Sequence, residues 1–592
     1  MGNVVSKGFY GNAIATFDNS TMHLRGQLTK CSVDVYLGWP SCRGEVTPVT
    51  QDDKCSCCPQ HTFRSGTGEC LACPRNGNCT SGGFVQPLPG YWSSFPTSTQ
   101  MHRCPMSTTS CNYTRPTNLC NKGYGGPLCG VCQLPLFGML SPFRCGKCMP
   151  PKVQLALYLV VSGVAVVFVA STVHATWRDN LTSKNAVVAT DVIKVLVQFV
   201  QCTVIIGSVS APWPFFNVQR WFMAVNIVFA IGSGAALSLD CWLSYYKPLG
   251  KLPLAMQRQL VYFLAPVVVL AAVVALQWLA WALWRWVVPR VWRPKVGAAQ
   301  QPAASVLRKL PVTLLVVAFY AYPTLCMASL SFFACLRIDR SMSEVQLAPR
   351  ATALLDHGPG YWVSSIEQKC FAGYHLGWAL GLGLPSILLW CVVVPVAMDL
   401  GLFLCRAKAD TDSFREHFGF LYHNYKPERV WWEAVWAART VVLTVISVFE
   451  FPMERYFSVL SLLVVFWASA ALQNVCQPYA FPMLHRMHMV STSCLAATTL
   501  GALAMFAYDI EDSTAMRVRI AIAVLVLLVN VSFVGWCIWK LVPAVKSWCI
   551  TGYSLVKSWV MWIVKGAVVC VEGPSGGQGR GGRRKGGAGC CL

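Results

Sequence analysis

The chain has 592 residues, of which 55% are hydrophobic and only 12% are charged. This composition is typical of a polytopic membrane protein and excludes an ordinary soluble domain. The formal net charge of +23 does not indicate nucleic-acid binding, because most of the basic excess flanks apolar segments, as the positive-inside rule predicts. The sequence has no phosphate loop and no HExxH motif, so we predict no enzyme, no catalytic residues and no cofactor.

Residues 1–50 carry no apolar secretory segment near Met1. The opening MGNVVS fits a myristoylation pattern, but sequons at Asn19, Asn78 and Asn112 predict glycosylation on the outer side of a membrane. We therefore favour an incomplete N-terminus or internal signalling by the first span. An alternating pattern in this part predicts the last strands of a larger β-rich ectodomain.

Residues 51–150 form a cysteine-rich segment with Pro, Gly and polar residues between the cysteines. Fifteen of the 29 cysteines precede residue 150, and disulfides must replace the hydrophobic core that such a segment lacks. Two CxxC pairs, Cys129/Cys132 and Cys145/Cys148, leave zinc as the rival interpretation. The sequons and the lack of nearby histidines favour disulfides, so we predict no metal site.

Nine apolar stretches of membrane-spanning length follow. They cover 153–176, 187–210, 258–286, 309–334, 373–404, 431–450, 455–475, 486–508 and 517–541, and they predict an all-α membrane bundle over 151–541. A tenth apolar stretch, 219–239, is ambiguous. If it lies on the outer surface or is re-entrant, the basic loops around 285–309 and 406–429 both face the cytoplasm, which the positive-inside rule favours. We therefore predict an outer N-terminus, a cytoplasmic C-terminus and a location in the plasma membrane.

Two further segments follow the last span. Residues 542–571 alternate tryptophan, lysine and aliphatic side chains and predict an amphipathic helix at the membrane interface. Residues 572–592 are rich in Gly and Arg and predict a disordered tail.

The outward cysteines provide a check on this topology. Cys241, Cys335 and Cys370 face outward in it and bring the fifteen earlier cysteines to an even eighteen. We predict a Cys335–Cys370 disulfide, and we predict that Cys241 ties the odd ectodomain cysteine to the bundle. The remaining pairing candidates are Cys120, Cys129, Cys132, Cys145 and Cys148, whose connectivity the sequence leaves open.

The second span carries a polar face. Asp191, Lys194, Gln198 and Gln201 are spaced so that they share one side of a helix. In hydrocarbon such a face should meet water or a partner helix, so we predict that it points into the bundle and lines a pore, a lipid groove or an ion site. The alternative is that Lys194 snorkels beside Asp191 while the glutamines bond across helices.

A second motif joins a basic loop to the sixth span at residues 419–439. Pro427 predicts a break before the helix, and Trp431 and Trp432 predict interfacial anchors. Glu433 lies in the first turn, where it suits the helix dipole, whereas Arg439 lies deeper and needs a partner or a snorkelling path. One interpretation is a well-anchored helix start, and the functional interpretation is a coupling element between a cytoplasmic loop and the membrane bundle. Its residues are Gly419, Tyr422, Tyr425, Pro427, Trp431, Trp432, Glu433 and Arg439.

Four features in chain order carry a resemblance to a family. They are the cysteines at 55–148, the Gln198–Pro214 helix that ends in Trp-Pro, Tyr322-Pro323 followed by Cys335 and Cys370, and GFLY…YKP…WWE at 419–433. The cysteines resemble ephrin-receptor-like and EGF-like repeats. Together, over about residues 55–541, the features resemble the multi-pass membrane proteins of protists and algae that carry a transient-receptor-potential-like (TRP-like) C-terminal domain.

The resemblance implies a TRP-like cation channel or mechanosensory protein whose partners are membrane lipids, inorganic cations and an unidentified extracellular ligand. The alternatives are a non-conducting adhesion or receptor protein and a lipid or solute transporter. We expect no nucleic-acid partner and leave a homo-oligomer open.

Overall fold

Helices dominate the part of the chain that the structure describes. This computed structural model describes residues 9–10, 13–18, 21–25, 32–36, 39–43, 62–64, 70–79, 85–93, 101–112, 120–182, 189–209, 238–248, 250, 252–291, 302–338, 360–405, 411–450, 455–506 and 513–571. In chain order the helices are α1 Pro151–Thr182, α2 Ala189–Ser208, α3 Leu239–Tyr246, α4 Leu254–Val291, α5 Pro302–Ser331, α6 Tyr374–Leu404, α7 Asp412–Tyr422, α8 Trp432–Val448, α9 Arg455–Cys476, α10 Pro482–Ala504 and α11 Ser513–Val571.

Nine helices within the described residues are long and apolar enough to cross a membrane. Their crossing segments are Pro151–Asn180, Ala189–Gly207, Leu254–Leu283, Val306–Ser331, Tyr374–Leu404, Pro427–Val448, Tyr456–Cys476, Pro482–Ala504 and Thr514–Pro543. They lie within a few residues of the nine predicted spans and confirm an all-α polytopic membrane bundle. Most of the ambiguous stretch 219–239 lies outside the described residues.

Helix α2 is the most enclosed of these spans. In its most apolar stretch, 78% of the residues are buried, whereas in the other spans the corresponding share is at most 56%. Val192 and Phe199 pack in one hydrophobic cluster with α8, α9, α10 and α11, while Ile193 and Val197 pack in another with α1, α4, α5 and α7. Because protein surrounds α2 on both sides, its polar side chains meet neighbouring helices rather than lipid.

Two helices depart from a simple span. Helix α6 contains two π-helical segments, Ala379–Gly383 and Leu388–Val393, each followed closely by a proline whose missing N–H the wider turn accommodates. Helix α11 runs 59 residues without a break, with Pro543 inside it. The predicted helix at 542–571 is therefore the continuation of the last span, because apolar helix-forming residues on both sides carry the helix through the proline. Its interfacial position stays a prediction.

Short antiparallel strands are the main regular elements of the described chain before α1. They are β1 Phe9–Tyr10, β2 Ala13–Asp18, β3 Thr21–Arg25, β4 Ser32–Tyr36, β5 Trp39–Arg43, β6 Thr62–Arg64, β7 Cys70–Ala72, β8 Gly77–Asn78, β9 Gln86–Pro87, β10 Tyr91–Trp92, β11 His102–Arg103, β12 Tyr124–Gly125, β13 Val131–Cys132, β14 Phe137–Ser141 and β15 Arg144–Lys147. Strands β1–β3 form a small sheet and β4–β5 a hairpin. Strands therefore occur where alternation predicts them, and their membership of a larger β-rich domain stays a prediction.

Disulfides connect these small strands to each other and to the bundle. Among the described residues they are Cys73–Cys79, Cys104–Cys111, Cys120–Cys129, Cys132–Cys145, Cys148–Cys241 and Cys335–Cys370. The last has the predicted pairing, with Cα atoms 6.2 Å apart, and Cys241 takes Cys148 as its ectodomain partner. Both CxxC pairs are fully used in disulfides, so the zinc alternative is wrong.

The disulfide-rich domain is attached to the bundle at a set of contacts that we call the disulfide-side clamp. Cys148 bonds to Cys241 on α3, and Asp240 next to it forms an ion pair with Arg258 on α4, at 2.8 Å. Arg258 also donates to the Ser364 carbonyl oxygen at 2.6 Å. Ser364 lies between β17 Tyr361–Trp362 and β18 Ser365–Lys369, which form a small sheet with β16 Cys335–Leu336. The clamp thus holds the domain, α3, α4 and the loop before α6 together.

A shared hydrophobic cluster reinforces this attachment. Trp92, Tyr124 and Phe143 of the domain pack with Val363 and Ile366 of the loop before α6. Because buried apolar contacts on both sides of the junction are continuous, the domain and this end of the bundle form one packed unit. We call this end the disulfide side and the opposite end, where α7 lies, the basic side.

Candidate functional site

The turn that follows α7 is attached to the turn before α10. The Lys426 amide donates to the Pro478 carbonyl oxygen at 2.8 Å, and the Ala480 amide donates to the Asn424 carbonyl oxygen at 2.9 Å. A 3₁₀ turn at Pro427–Arg429 follows, which confirms the predicted break. This fixed turn presents the next residues toward α2.

Lys194 and Glu433 form a buried ion pair between α2 and α8. Lys194 Nζ lies 2.9 Å from Glu433 Oε2, with side chains only 4% and 5% exposed. Lys194 also donates to the Phe420 carbonyl oxygen at 3.2 Å, and the Tyr425 hydroxyl donates to the same Glu433 oxygen at 2.7 Å. We call these four residues the Lys194 cluster.

The Lys194 cluster satisfies charges that would otherwise be costly inside the bundle. A buried ion pair persists only when further hydrogen bonds satisfy both ions, and here Phe420 and Tyr425 supply them. Burial, together with the neighbouring Glu433 carboxylate, raises the pKa of the Tyr425 phenol well above its ordinary value. Tyr425 therefore remains protonated and keeps donating to Glu433.

The polar face of α2 points into the bundle, as predicted. Asp191 is 5% exposed and Lys194 4%, so the alternative of a snorkelling lysine is wrong. Gln201 donates to the Tyr320 carbonyl oxygen of α5 at 3.2 Å, while Gln198 is half-buried. The neighbouring helices' polar groups, rather than a wide groove, meet most of this face.

Arg439 lies one turn and a half further along α8. Its guanidinium carbon is 3.7 Å from the centroid of the Trp436 ring, and Nη2 donates to Cys202 Sγ at 3.2 Å. The side chain is only 8% exposed. Arg439 thus neither snorkels nor meets a carboxylate within hydrogen-bonding distance among the described residues, and an aromatic face and a thiol hold it instead.

The Trp436 ring extends this contact toward α10. Trp436 Nε1 donates to the Tyr479 hydroxyl at 2.9 Å, and the Tyr479 ring stacks on His488 at 4.3 Å. Burial raises the pKa of the Tyr479 phenol well above its ordinary value. The charged groups of α2 and α8, the Tyr479 ring before α10 and the His488 ring on α10 therefore form one continuous polar and aromatic core.

The remaining motif residues take separate places. Trp432 is 2% exposed and Trp431 37%, so the prediction that both are interfacial anchors was wrong for Trp432. Successive helical residues point about 100° apart, and in this helix that difference turns the Trp432 ring inward and leaves Trp431 partly exposed. Tyr422 is half-buried against Phe414. Gly419 lies so close to α1 that an added Cβ would be 2.7 Å from Asn180 Oδ1.

The predicted glycosylation sites lie in the disulfide-rich part. Asn78 and Asn112 are half-buried, and Asn19 lies outside the described residues. Glycosylation at all three stays a prediction.

Sequence reasoning missed the Lys194–Glu433 pairing. The available signal was two opposite charges, each about one turn inside a span and each entering from the same predicted side of the membrane. Opposite charges at the same depth in neighbouring helices attract each other strongly where water is excluded.

Fold and site together define a multi-pass integral membrane protein with a disulfide-rich domain at one end of its helical bundle. Within the described residues no three His, Cys, Asp or Glu side chains are grouped to hold a metal ion. Comparisons of the chain with protein-family models, with curated proteins and with solved structures give no match.

Proposed function

We propose that this protein is a mechanosensory cation channel of the TRP-like type, without enzymatic activity, whose disulfide-rich domain faces the outside of the cell. The observation that carries the proposal is the disulfide-side clamp. A sensor of force needs a stiff connection between its outer domain and the helices that move. Here a covalent bond at Cys148–Cys241 and the buried Asp240–Arg258 pair supply it.

The bundle offers a path from the clamp to the basic side. Arg258 on α4 is joined to α3, and α4 and α1 pack with α2 in one hydrophobic cluster. At its basic-side end α2 is joined to α8 through Lys194 and Glu433. Movement of the domain would reach this pair through packed helices, which have few discrete arrangements.

The orientation and partners follow from charge. Arg308 of α5 is bonded to Glu416 of α7, which supports one shared side for the two basic loops. Basic loops favour the cytoplasm, and disulfides form in oxidising compartments. We therefore propose an extracellular domain, a cytoplasmic C-terminus, a plasma-membrane location, and lipids and inorganic cations as partners.

The test is patch recording from liposomes that contain the purified full-length protein. We expect cation currents that rise with membrane tension, and a rightward shift of the tension response in the Cys148→Ser/Cys241→Ser double variant. The Cys73→Ser/Cys79→Ser double variant is the matched control, because that bond closes a loop within the domain and leaves the clamp intact. A protein that inserts and folds but carries no current under tension contradicts the proposal.

The second candidate is a non-conducting receptor that uses the same clamp. The Lys194 cluster favours this receptor, because protein groups satisfy the charges of Lys194 and Glu433. Ligand-dependent protection of α2 and α8 from hydrogen exchange, without current, would support the receptor over the channel.

A further inference from the structure

Exposed apolar side chains are concentrated where the disulfide-rich domain joins the bundle. Leu134 and Leu136 lie just before β14, and Met149 lies between β15 and α1; their exposed fractions are 39%, 66% and 40%. Tyr245 and Tyr246, at the end of α3, are 63% and 42% exposed. We call these five residues the apolar rim. Large apolar side chains that are exposed together mark an interaction surface, so the rim calls for a partner.

The backbone brings two of these side chains to the start of α1. The Cys148 amide donates to the Leu136 carbonyl oxygen at 2.8 Å, so Leu136 lies beside the last residues before that helix. Met149 is two positions before Pro151, the first residue of α1, and two residues of chain reach at most about 7 Å. Leu136 and Met149 therefore lie at the level where α1 enters the membrane.

Below this level the surface of α1 faces lipid. Only 17% of the most apolar stretch of its 30-residue crossing segment is buried, and Val153, Leu157 and Val160 are exposed. A helix of this length extends about 45 Å, which matches a bilayer with its headgroups. The start of α1 thus lies in the headgroup layer on the disulfide side, and the apolar rim continues the lipid-facing surface of the span.

Helix α3 holds the two tyrosines near the same layer. Gln154, in the first turn of α1, donates to the Ser238 carbonyl oxygen at 2.6 Å, directly before α3. At the other end of α3, Tyr246 is eight positions before Leu254, where α4 begins to cross. Both ends of α3 are therefore tied to the starts of crossing helices. Tyrosine is enriched at this depth of a membrane, because its ring is apolar and its hydroxyl is polar.

We propose that the apolar rim inserts into the headgroup layer of the leaflet on the disulfide side, so that the domain rests on phospholipid. A protein partner would have to displace lipid to reach side chains that continue a lipid-facing span, whereas phospholipid is already present there. Apolar contact drives this insertion, and its strength scales with the apolar area that is buried. Exposed Lys147 and Lys152 flank the rim, and their long side chains reach toward lipid phosphates.

The experiment maps lipid and water contacts of the purified full-length protein in phosphatidylcholine nanodiscs. The lipid probe is a phosphatidylcholine with a diazirine on the acyl chain close to the glycerol, and the water probe is the hydroxyl radical. Mass spectrometry of peptides locates both kinds of adduct. We expect lipid adducts on the peptides that contain 134–136, 149 and 245–246, as on the lipid-facing part of α1. This readout does not depend on conduction or on which side faces outward, so it stands or fails apart from the proposed channel activity.

The matched control within the domain is Leu88, which is 41% exposed and whose amide bonds to the Asn76 carbonyl oxygen rather than to a residue near α1. We expect its peptide to be oxidised by the water probe and to carry no lipid adduct above background. Met149 should show the opposite pattern, although its exposed fraction is nearly the same.

Variants test whether the rim itself makes the contact. We expect Leu136→Glu to lower the lipid adducts at Met149 and to raise its oxidation by about twofold or more, because less apolar area remains to insert. Tyr245→Glu, on a different element, should act in the same direction and covers the case that Leu136→Glu fails to fold. Leu88→Glu should leave both readouts at Met149 unchanged.

Three results would overturn the proposal. In the first, the rim carries no lipid adduct while α1 is labelled, and Met149 is oxidised as readily as exposed residues elsewhere in the domain, which means that the domain stands clear of the leaflet. In the second, the rim is protected from both probes, which means that another part of the protein or a second copy covers it. In the third, Leu136→Glu and Tyr245→Glu both fold and change neither readout.

Discussion

Lys194 and Glu433 are 239 positions apart in the sequence, yet Nζ of the one lies 2.9 Å from Oε2 of the other inside the bundle. The pair joins the most enclosed span, α2, to α8, the helix that comes after the turn following α7. It also brings together two sequence patterns, the polar face of the second span and the motif at 419–439, which the chain presents separately.

Replacing only one member of this pair should destabilise the protein more, per substitution, than replacing both members together. We expect Lys194→Met and Glu433→Leu each to destabilise the protein by about 3–5 kcal/mol, because each leaves a buried group without its partner. The double variant Lys194→Met/Glu433→Leu should lose less than the sum of the two singles. Thermal unfolding in detergent measures all three.

The control for this experiment is the pair of Arg415 with Asp412, whose carboxylate side chain is 81% exposed. Asp412→Ala should cost less than about 1 kcal/mol. Single variants at Lys194 and Glu433 that unfold with the same midpoint as this control would contradict a buried, mutually dependent pair.

Gly419 should not tolerate a methyl group. Its added Cβ would lie 2.7 Å from Asn180 Oδ1 and 3.0 Å from Asn180 Cγ, so α7 or α1 must shift. We expect Gly419→Ala to destabilise by about 1–3 kcal/mol, the usual cost of overpacking. The measurement is the shift in unfolding midpoint.

Gly163 on α1 is the matched glycine. Nothing lies within 4 Å of its added Cβ, and alanine is the better helix former by about 0.5–1 kcal/mol. Gly163→Ala should therefore be neutral or stabilising, and equal effects at the two glycines would argue against the close α1–α7 contact.

The disulfide between Cys148 and Cys241 should matter more than its local neighbours. It closes a separation of 93 residues, whereas Cys73–Cys79 closes six. Because a longer closed loop restricts the unfolded chain more, we expect removal of the former to cost about 2–5 kcal/mol and removal of the latter less. Unfolding of the two serine double variants compares them, and peptide mapping without reductant should recover the linked 148/241 peptides.

The two basic loops should be on one side of the membrane, and that side should be the cytoplasm. Arg308 and Glu416 form an ion pair, which ties the two basic loops to each other. Single cysteines introduced as Gln300→Cys and Asp410→Cys should react with an impermeant maleimide only after permeabilisation. A cysteine at Glu367, in β18, should react in intact cells, and the opposite pattern would invert the topology.

The sequence predicts the bundle well because span length and apolarity are local properties. The length of the apolar stretches was enough to predict the nine crossing segments. The outward position of two cysteines was enough to predict the Cys335–Cys370 bond. The Lys194–Glu433 pair depends on which helices are neighbours, and no local pattern states that. Trp432 shows the converse error: a Trp-Trp pair signals an interface, but its helical phase against α2 decides which of the two rings is buried.

The bond between Cys148 and Cys241 also governs what a protease can release. Cleavage of the backbone just before α1, near Pro150, would free the domain from its own span, yet the fragment would remain covalently attached to α3. Cleavage upstream of Cys120 differs, because the described bonds Cys73–Cys79 and Cys104–Cys111 close only within the upstream part. Shedding of the juxtamembrane portion would therefore require a reductant as well as a protease, and on gels it should appear as a fragment that separates from the membrane-embedded part only after reduction.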